Sequence, residues 1–453
     1  MTKLYLGSTI RHEKLQQRPS PDVSRGRRDG GPRGGGVTGK TQAGHASHAP
    51  TSAWLAPLFA VLIIQIAASG LARLVPTTAP LLGPRIDWPA TQIGYLASVL
   101  TISSVLFLLL GLPLARRFGP MRSLQLGLGL GALGALLCGL PFAAGPLLGS
   151  LLMGLGLAPS MSVANEVLHR HAPRQHMSLI FSIKQAGVPL GGVLAGLALP
   201  SVVQAHGVPA ATWVCALFAL AALLVAQPMR RRIDAQRDRS QTIGWRALLS
   251  LSNARRPLAT LTAAPALRRM GMAGLCLGFG QSAWFTFFVT YLVLELHWLL
   301  VEAGALFALM QACSVLGRPL LGWLADRTGS GLRVLKWTTV TSALSTFALA
   351  AATSAWPTAS IIALALVAGC TVSSWNGVQM AEVARRSEPG AVAESTAGAT
   401  MLLFAGFVVG PTVFSLMVAA GTGHRLAFGL VGVITLLALV PLRQPDHATG
   451  HGN

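Results

Sequence analysis

Twelve apolar stretches of about 18–25 residues follow one another along the chain, near 54–75, 92–114, 123–142, 145–165, 177–200, 209–228, 270–296, 302–325, 334–353, 358–380, 394–420 and 424–442. Each is long enough to cross a hydrocarbon core of about 30 Å as a helix. In hydrocarbon every backbone N–H and C=O must be satisfied inside the segment, so such a chain folds as a bundle of spanning helices. The expected fold is an all-α polytopic membrane protein with twelve transmembrane helices. Composition agrees, since only 11% of residues are charged, against about 25% in a soluble domain.

The stretches divide six and six around a basic segment that begins Arg230-Arg231-Arg232. The expected units are therefore a tail at 1–52, a first six-helix bundle at 53–228, a linker at 229–269, a second bundle at 270–442 and a short tail at 443–453. The first tail is rich in Gly, Pro, Ser and Arg (Arg25, Arg27, Arg28, then Gly34-Gly35-Gly36) and lacks hydrophobic periodicity, so disorder is expected there. Binding to lipid headgroups and a start codon placed too far upstream are both open for it.

A net charge of +21 would point to nucleic acid in a soluble protein. Here Lys and Arg lie in the tails and in alternate connections, all except Arg73, Arg85, Lys184, Arg318 and Arg425. That asymmetry follows the positive-inside rule, places both termini in the cytoplasm and puts Arg73, Arg85 and Arg425 on the far side. No nucleic-acid partner is expected; the lipid bilayer is the expected surrounding. Arg far outnumbers Lys, a bias of GC-rich bacterial genomes, so the expected location is a bacterial inner (plasma) membrane. The five cysteines all fall in apolar stretches without metal-ligand spacing. Histidines keep to loops, tails and span ends, and no nucleophile motif or phosphate-cradling loop occurs. An enzyme is not expected, nor a cofactor or metal, and the chain is expected to be a monomer.

The two halves repeat one another. Leu-Ala-Arg116-Arg117-Phe-Gly119 matches Leu-Ala-Asp326-Arg327-Thr-Gly329, and Glu166-Val-x-x-Arg170-x-x-Pro173 matches Glu382-Val-x-x-Arg386-x-x-Pro389. Pro189 pairs with Pro411, and Gln65-x-Ala with Gln281-x-Ala. The spacings are similar and the order is the same, which points to a duplicated six-helix unit and two pseudo-symmetric bundles.

Away from the stretch ends, two charges sit in the apolar interiors, Arg318 and Lys184, and no Asp or Glu does. A guanidinium at helix centre costs roughly 2.5–3.5 kcal/mol on insertion scales, so it marks a functional site by default. Arg318 lies eight residues before Asp326, about 12 Å along a helix. Its planar fork suits a carboxylate gripped by two parallel hydrogen bonds. A structural Arg bonded to backbone carbonyls is the alternative. Lys184 could share the anion, carry a proton or snorkel to the interface.

The six-plus-six pattern, the basic central segment and Gly322-x-x-x-Asp326-Arg327-x-Gly329 resemble the major facilitator superfamily over residues 54–442. Arg318-Pro319, Ser182-Ile-Lys184-Gln-Ala-Gly187-Val-Pro189 and Trp375-Asn376-Gly377 are most similar to its bacterial organic-anion permeases. In the first-half copy Leu112 and Arg116 stand where a Gly and an Asp are usual. The resemblance implies that the fifth and eighth spans pack across the halves, bringing Lys184 to Arg318. It implies that spans one, seven and ten line a cavity, making Gln65, Gln281, Trp284, Ser373, Trp375, Asn376 and Gln379 candidates to orient a substrate, with Tyr291 and Asn165 nearer the ends. Interhelical bonding, worth about 0.6 kcal/mol per contact, is the competing role. It assigns Gly322, Asp326, Arg327, Gly329, Arg117, Gly119, Glu166, Arg170, Glu382 and Arg386 to a gate at the cytoplasmic end, against ordinary surface charge.

The expected function is a secondary active transporter of a small organic anion, most simply a carboxylate, working by alternating access. Protons are a candidate coupling ion. A drug-efflux antiporter and a non-transporting sensor or assembly partner are the rivals.

Overall fold

The computed structural model describes residues 54–89, 92–111, 114, 117–171, 177–236, 259–261, 264–388 and 391–443. Residues 1–52, Leu112, Arg116, Pro173, Pro389 and the final tail from 444 lie outside the described residues, as does most of the expected linker.

The described residues are predominantly helical, with no strand among them. The first half holds α1 (Leu55–Leu71), α2 (Leu74–Arg85), α3 (Ile93–Leu110), α4 (Pro120–Leu137), α5 (Ala144–His171) and α6 (Met177–Ala226). The second holds α7 (Pro265–Leu294), α8 (Leu300–Thr328), α9 (Gly331–Ala351), α10 (Thr358–Cys370), α11 (Asn376–Arg385), α12 (Val392–Ala419) and α13 (Gly423–Leu437). Among the described residues, seven helical stretches are long and apolar enough to cross a membrane. One of them, Ile180–Ile233, takes up two expected spans, because the chain turns at Gly207, whose φ of 78° favours glycine. The stretches α10 and α13 are apolar but shorter. Leu224, Leu316, Leu344 and Leu426 stand exposed, as side chains do when lipid rather than water surrounds the bundle.

Two expected spans are interrupted, each for a local reason. Pro76 cannot donate to the carbonyl of Ala72 and its ring crowds that oxygen. The helix therefore tightens, with Arg73 N–H donating to Gly70 at 3.0 Å, and resumes as α2. Thr371–Trp375 separates α10 from α11; the Ser373 N–H reaches back to Ala368 at 3.3 Å, and the Ser374 hydroxyl donates to Gly369 at 2.8 Å. Serine hydroxyls compete for backbone acceptors in this way wherever a helix loosens.

The halves meet along α6 with α8, α3 with α12, and α2 with α7. Close approach there requires small residues. A Cβ on Gly94 would lie 2.5 Å from the Pro411 carbonyl oxygen and 2.6 Å from the Phe287 ring; one on Gly196 would lie 2.8 Å from the Gly304 oxygen. Ser98 Oγ donates to the Val408 carbonyl at 2.8 Å and lies 2.8 Å from Thr412 Oγ1. These contacts lock the two halves together at the end away from Asp326.

Candidate functional site

The loosened segment of the tenth expected span frees one backbone oxygen for side chains. The Ser373 carbonyl accepts from Ser314 Oγ at 3.1 Å, from Arg318 Nη2 at 3.4 Å and from Gln281 Nε2 at 3.5 Å. Asn376 Nδ2, at the start of α11, donates to Gln281 Oε1 at 3.3 Å. Ser314 and Arg318 are one helical turn apart on α8. Gly317 lies between them, and a Cβ there would fall 2.9 Å from Cys370 Cα. The glycine is what lets α8 press against the break.

Arg318 also reaches the first half, where its Nη1 donates to the Gln185 carbonyl at 3.4 Å. Lys184, only 1% exposed, donates to Gln185 Oε1 at 3.3 Å. The expected meeting of Lys184 and Arg318 is thus realised along α6 and α8. Both Arg318 bonds are long for charged donors, and its Nε is buried without a hydrogen-bond partner.

A third cation joins them. Arg73 was expected outside the membrane, at the end of a span closing near residue 75. The first helix instead kinks at Pro76 and continues to Arg85, so Arg73 stays among packed helices. Its guanidinium sits 4.2 Å from the Phe285 ring centroid, its Nε is buried and unpartnered, and Arg318 lies within Coulombic reach of both Arg73 and Lys184. Among the described residues none of the three pairs with a carboxylate. Like charges that share a low-dielectric interior repel one another far more strongly than in water.

Gln65, fully buried, donates to Ser69 Oγ at 3.1 Å and packs on α6 at Gly187, leaving its Oε1 without a donor. Gln311, two turns before Arg318 on α8, lies against Gly192 and also has an unpartnered Oε1. Sequence reasoning passed over Gln311 and Ser314, although their spacing from Arg318 puts all three on one helix face.

Trp284 lies inside the second half, whereas Trp375 borders a small cavity that Gln281 also lines. Trp284 Nε1 donates to Thr346 Oγ1 at 2.9 Å and its ring stacks on Phe288, in the interior of the second half. Trp375 is 1% exposed and packs with Met270, Leu277 and Val378. Tyr291 donates to the Leu349 carbonyl at 2.9 Å, and Gln379 to that of Met270 at 3.0 Å, each within the same half.

At the Asp326 end the named charges pair within one half each. Asp326 meets Arg385 at 3.7 Å, Glu382 meets both Arg385 and Arg386, and Glu166 pairs with Arg170. The Arg327 guanidinium lies 5.3 Å from the Trp323 ring. Arg117 is exposed. Gly329 ends α8 at φ 63°, the left-handed cap that favours glycine, whereas a Cβ on Gly322 would meet nothing. Gly119 (φ 99°) leads into α4, whose first N–H groups donate to a residue sequence reasoning did not single out. Asp234 accepts from Met121 N at 2.8 Å and from Arg122 N at 3.1 Å, tying the start of the linker to the helix N-terminus.

The sequence pattern of the Major Facilitator Superfamily matches residues 58–390 and 271–452. Two uncharacterized MFS-type transporters of Mycobacterium tuberculosis are 26% and 25% identical over 306 residues, 64% of this chain. The chain spans 62% of the length of each of those relatives. Among solved structures, a nucleoside transporter, NupG, superposes with a TM-score of 0.69 at 16% identity, covering 86% of this chain and 99% of that one. A bacterial homolog of the human lysosomal transporter Spinster superposes with a TM-score of 0.67 at 15% identity, covering 86% and 96%. At such identities the superpositions speak for the fold alone.

Proposed function

This chain belongs to the Major Facilitator Superfamily, and from that premise we propose that it is a multi-pass membrane transporter rather than an enzyme, and that it moves a small organic anion, most simply a carboxylate, by alternating access. The observation that carries the reading is the gathering of Arg73, Lys184 and Arg318 between the halves with no described carboxylate paired to them. Buried charges require partners, and an incoming anion relieves both the desolvation and the mutual repulsion. Arg318 is its anchor, because its guanidinium already touches both halves. Ligand bound there reports on the rocking of one half against the other.

In this reading the tight contacts at Gly94, Gly196 and Ser98 close the outer end, while the Asp326 end is the cytoplasmic, inward-opening one. Asp326, Glu382 and their arginines are gate charges that re-pair across the halves when the site turns outward. The membrane is a bacterial inner membrane, the termini are cytoplasmic, and the chain works as a monomer. Protons are the coupling ion, carried by Lys184 or by the substrate itself.

The test is a thermal-shift screen of detergent-purified protein, wild type beside Arg318→Gln, with mono- and dicarboxylates, aromatic acids, inorganic anions and lipophilic cations, followed by proteoliposome uptake of any hit. Two charge-assisted hydrogen bonds of about 1.5–3 kcal/mol each imply at least about a hundredfold loss of carboxylate affinity in the variant. Equal stabilisation of both proteins by lipophilic cations, with none by acids, overturns the anion reading in favour of efflux. Acid binding without uptake points to a sensor.

A further inference from the structure

We propose that Arg73 is a second anion anchor, and that the substrate carries two ionised acid groups, a dicarboxylate being the simplest case; this rests on the anion-transporter reading above. Arg73 lies at the break between α1 and α2, where Pro76 in the first turn of α2 cannot continue the hydrogen bonding of α1. The Arg73 guanidinium carbon lies over the Phe285 ring, 4.2 Å from the centroid. A ring face offers a quadrupole and no formal charge, so Phe285 positions this cation without neutralising it. The Arg73 Nε is buried with no hydrogen-bond partner, a donor left over after its packing is complete. Arg318 has the same leftover donor.

The charge balance sets the ligand class. With Arg73, Lys184 and Arg318 all cationic, a monoanion would leave two uncompensated positive charges in the protein interior. A dianion leaves one. Arg318 is within Coulombic reach of each of the other two, and its guanidinium donates to a backbone carbonyl in each half, Gln185 and Ser373. One acid group sits at Arg318 and Lys184, bracketed by Gln185, and the other extends to Arg73 on its Phe285 platform. The unpartnered carbonyl oxygens of Gln65 and Gln311 are not suited to an acid group, which confines the anionic ends to the three cations. Arg73 and Lys184 belong to the first half, Arg318 and Phe285 to the second, so a two-ended ligand ties the halves together.

Isothermal titration of the full-length protein at pH 7, where simple carboxylic acids are ionised, compares propionate, butyrate and valerate with malonate, succinate and glutarate. At least one diacid is expected to bind about tenfold or more tightly than its length-matched monoacid, a gap of about 1.4 kcal/mol. Arg73→Gln is expected to collapse that ratio to near one, Arg73→Lys to restore part of it, and Arg318→Gln to remove binding of both classes. A wild-type ratio near one for every pair, or a ratio that survives Arg73→Gln, overturns the second anchor and leaves the anion reading standing. Binding of neither class to the wild type overturns both. The wild-type comparison needs no variant, so poor folding of Arg73→Gln leaves the proposal open to refutation.

Discussion

The Arg73 guanidinium lies 4.2 Å from the centroid of the Phe285 ring, one side chain from each half of the molecule. A cation–π contact in a desolvated setting is worth about 0.5–2 kcal/mol. A cycle of Arg73→Gln, Phe285→Leu and the double variant should therefore give a coupling of roughly 1 kcal/mol in unfolding free energy. Strict additivity would show that the contact does not hold Arg73 in place.

Asp234 is 6% exposed and accepts two backbone N–H bonds at the start of α4. Asp234→Ala should destabilise the protein by about 1–2 kcal/mol, the usual scale for losing a helix cap. Substrate affinity should stay within about twofold. Thermal unfolding of both proteins, with and without ligand, measures each quantity. An unchanged melting temperature would contradict the capping role.

Gly94 has no room for a side chain between Pro411, Ser415 and Phe287. Gly94→Val should prevent the halves from closing at that end and lower uptake by at least about tenfold, as overpacking of a tight contact costs roughly 1–3 kcal/mol. Maleimide labelling of Thr412→Cys, placed beside Ser98, should rise in the Gly94→Val background. Unaltered labelling and flux would mean that this contact does not govern closure.

Trp284 hydrogen-bonds Thr346 at 2.9 Å inside the second half. Trp284→Phe should cost about 1 kcal/mol of stability for the lost hydrogen bond and leave the ranking of ligands unaltered. A changed preference among acids, measured by the same titrations, would return Trp284 to the site.

Removal of Gln281 tests the break itself. Gln281→Leu leaves Asn376 Nδ2 without its acceptor and takes one donor from the Ser373 carbonyl. An orphaned polar group costs about 1–3 kcal/mol of stability, and because the same carbonyl holds Arg318, ligand affinity should fall as well. Affinity equal to wild type would separate the Ser373 network from binding.

Much of the architecture was legible in the sequence, since helix occupies most of each expected apolar stretch among the described residues, with breaks in the first and the tenth. Apolar length and the need to satisfy the backbone in hydrocarbon are local properties, readable one segment at a time. The same holds for Arg318 and Lys184, because a charge inside an apolar stretch announces itself. Arg73 was misplaced, since a run of hydrophobicity does not reveal whether a helix ends or merely kinks at Pro76. Trp284 and Trp375 fell mid-span as expected, but the face each presents depends on which neighbours pack where.

The sequence by itself determined the helical membrane fold, the repeated pattern of its two halves and two of the three interior cations, because these follow from composition, period and insertion energetics within single segments. Only the tertiary structure decided that α6 and α8 bring Lys184 to Arg318, that the Ser373 carbonyl gathers three donors, and that Arg73 turns inward onto Phe285. Those are meetings between segments far apart in the chain, and their geometry is fixed by glycine contacts and helix breaks that acquire meaning only once the helices are packed.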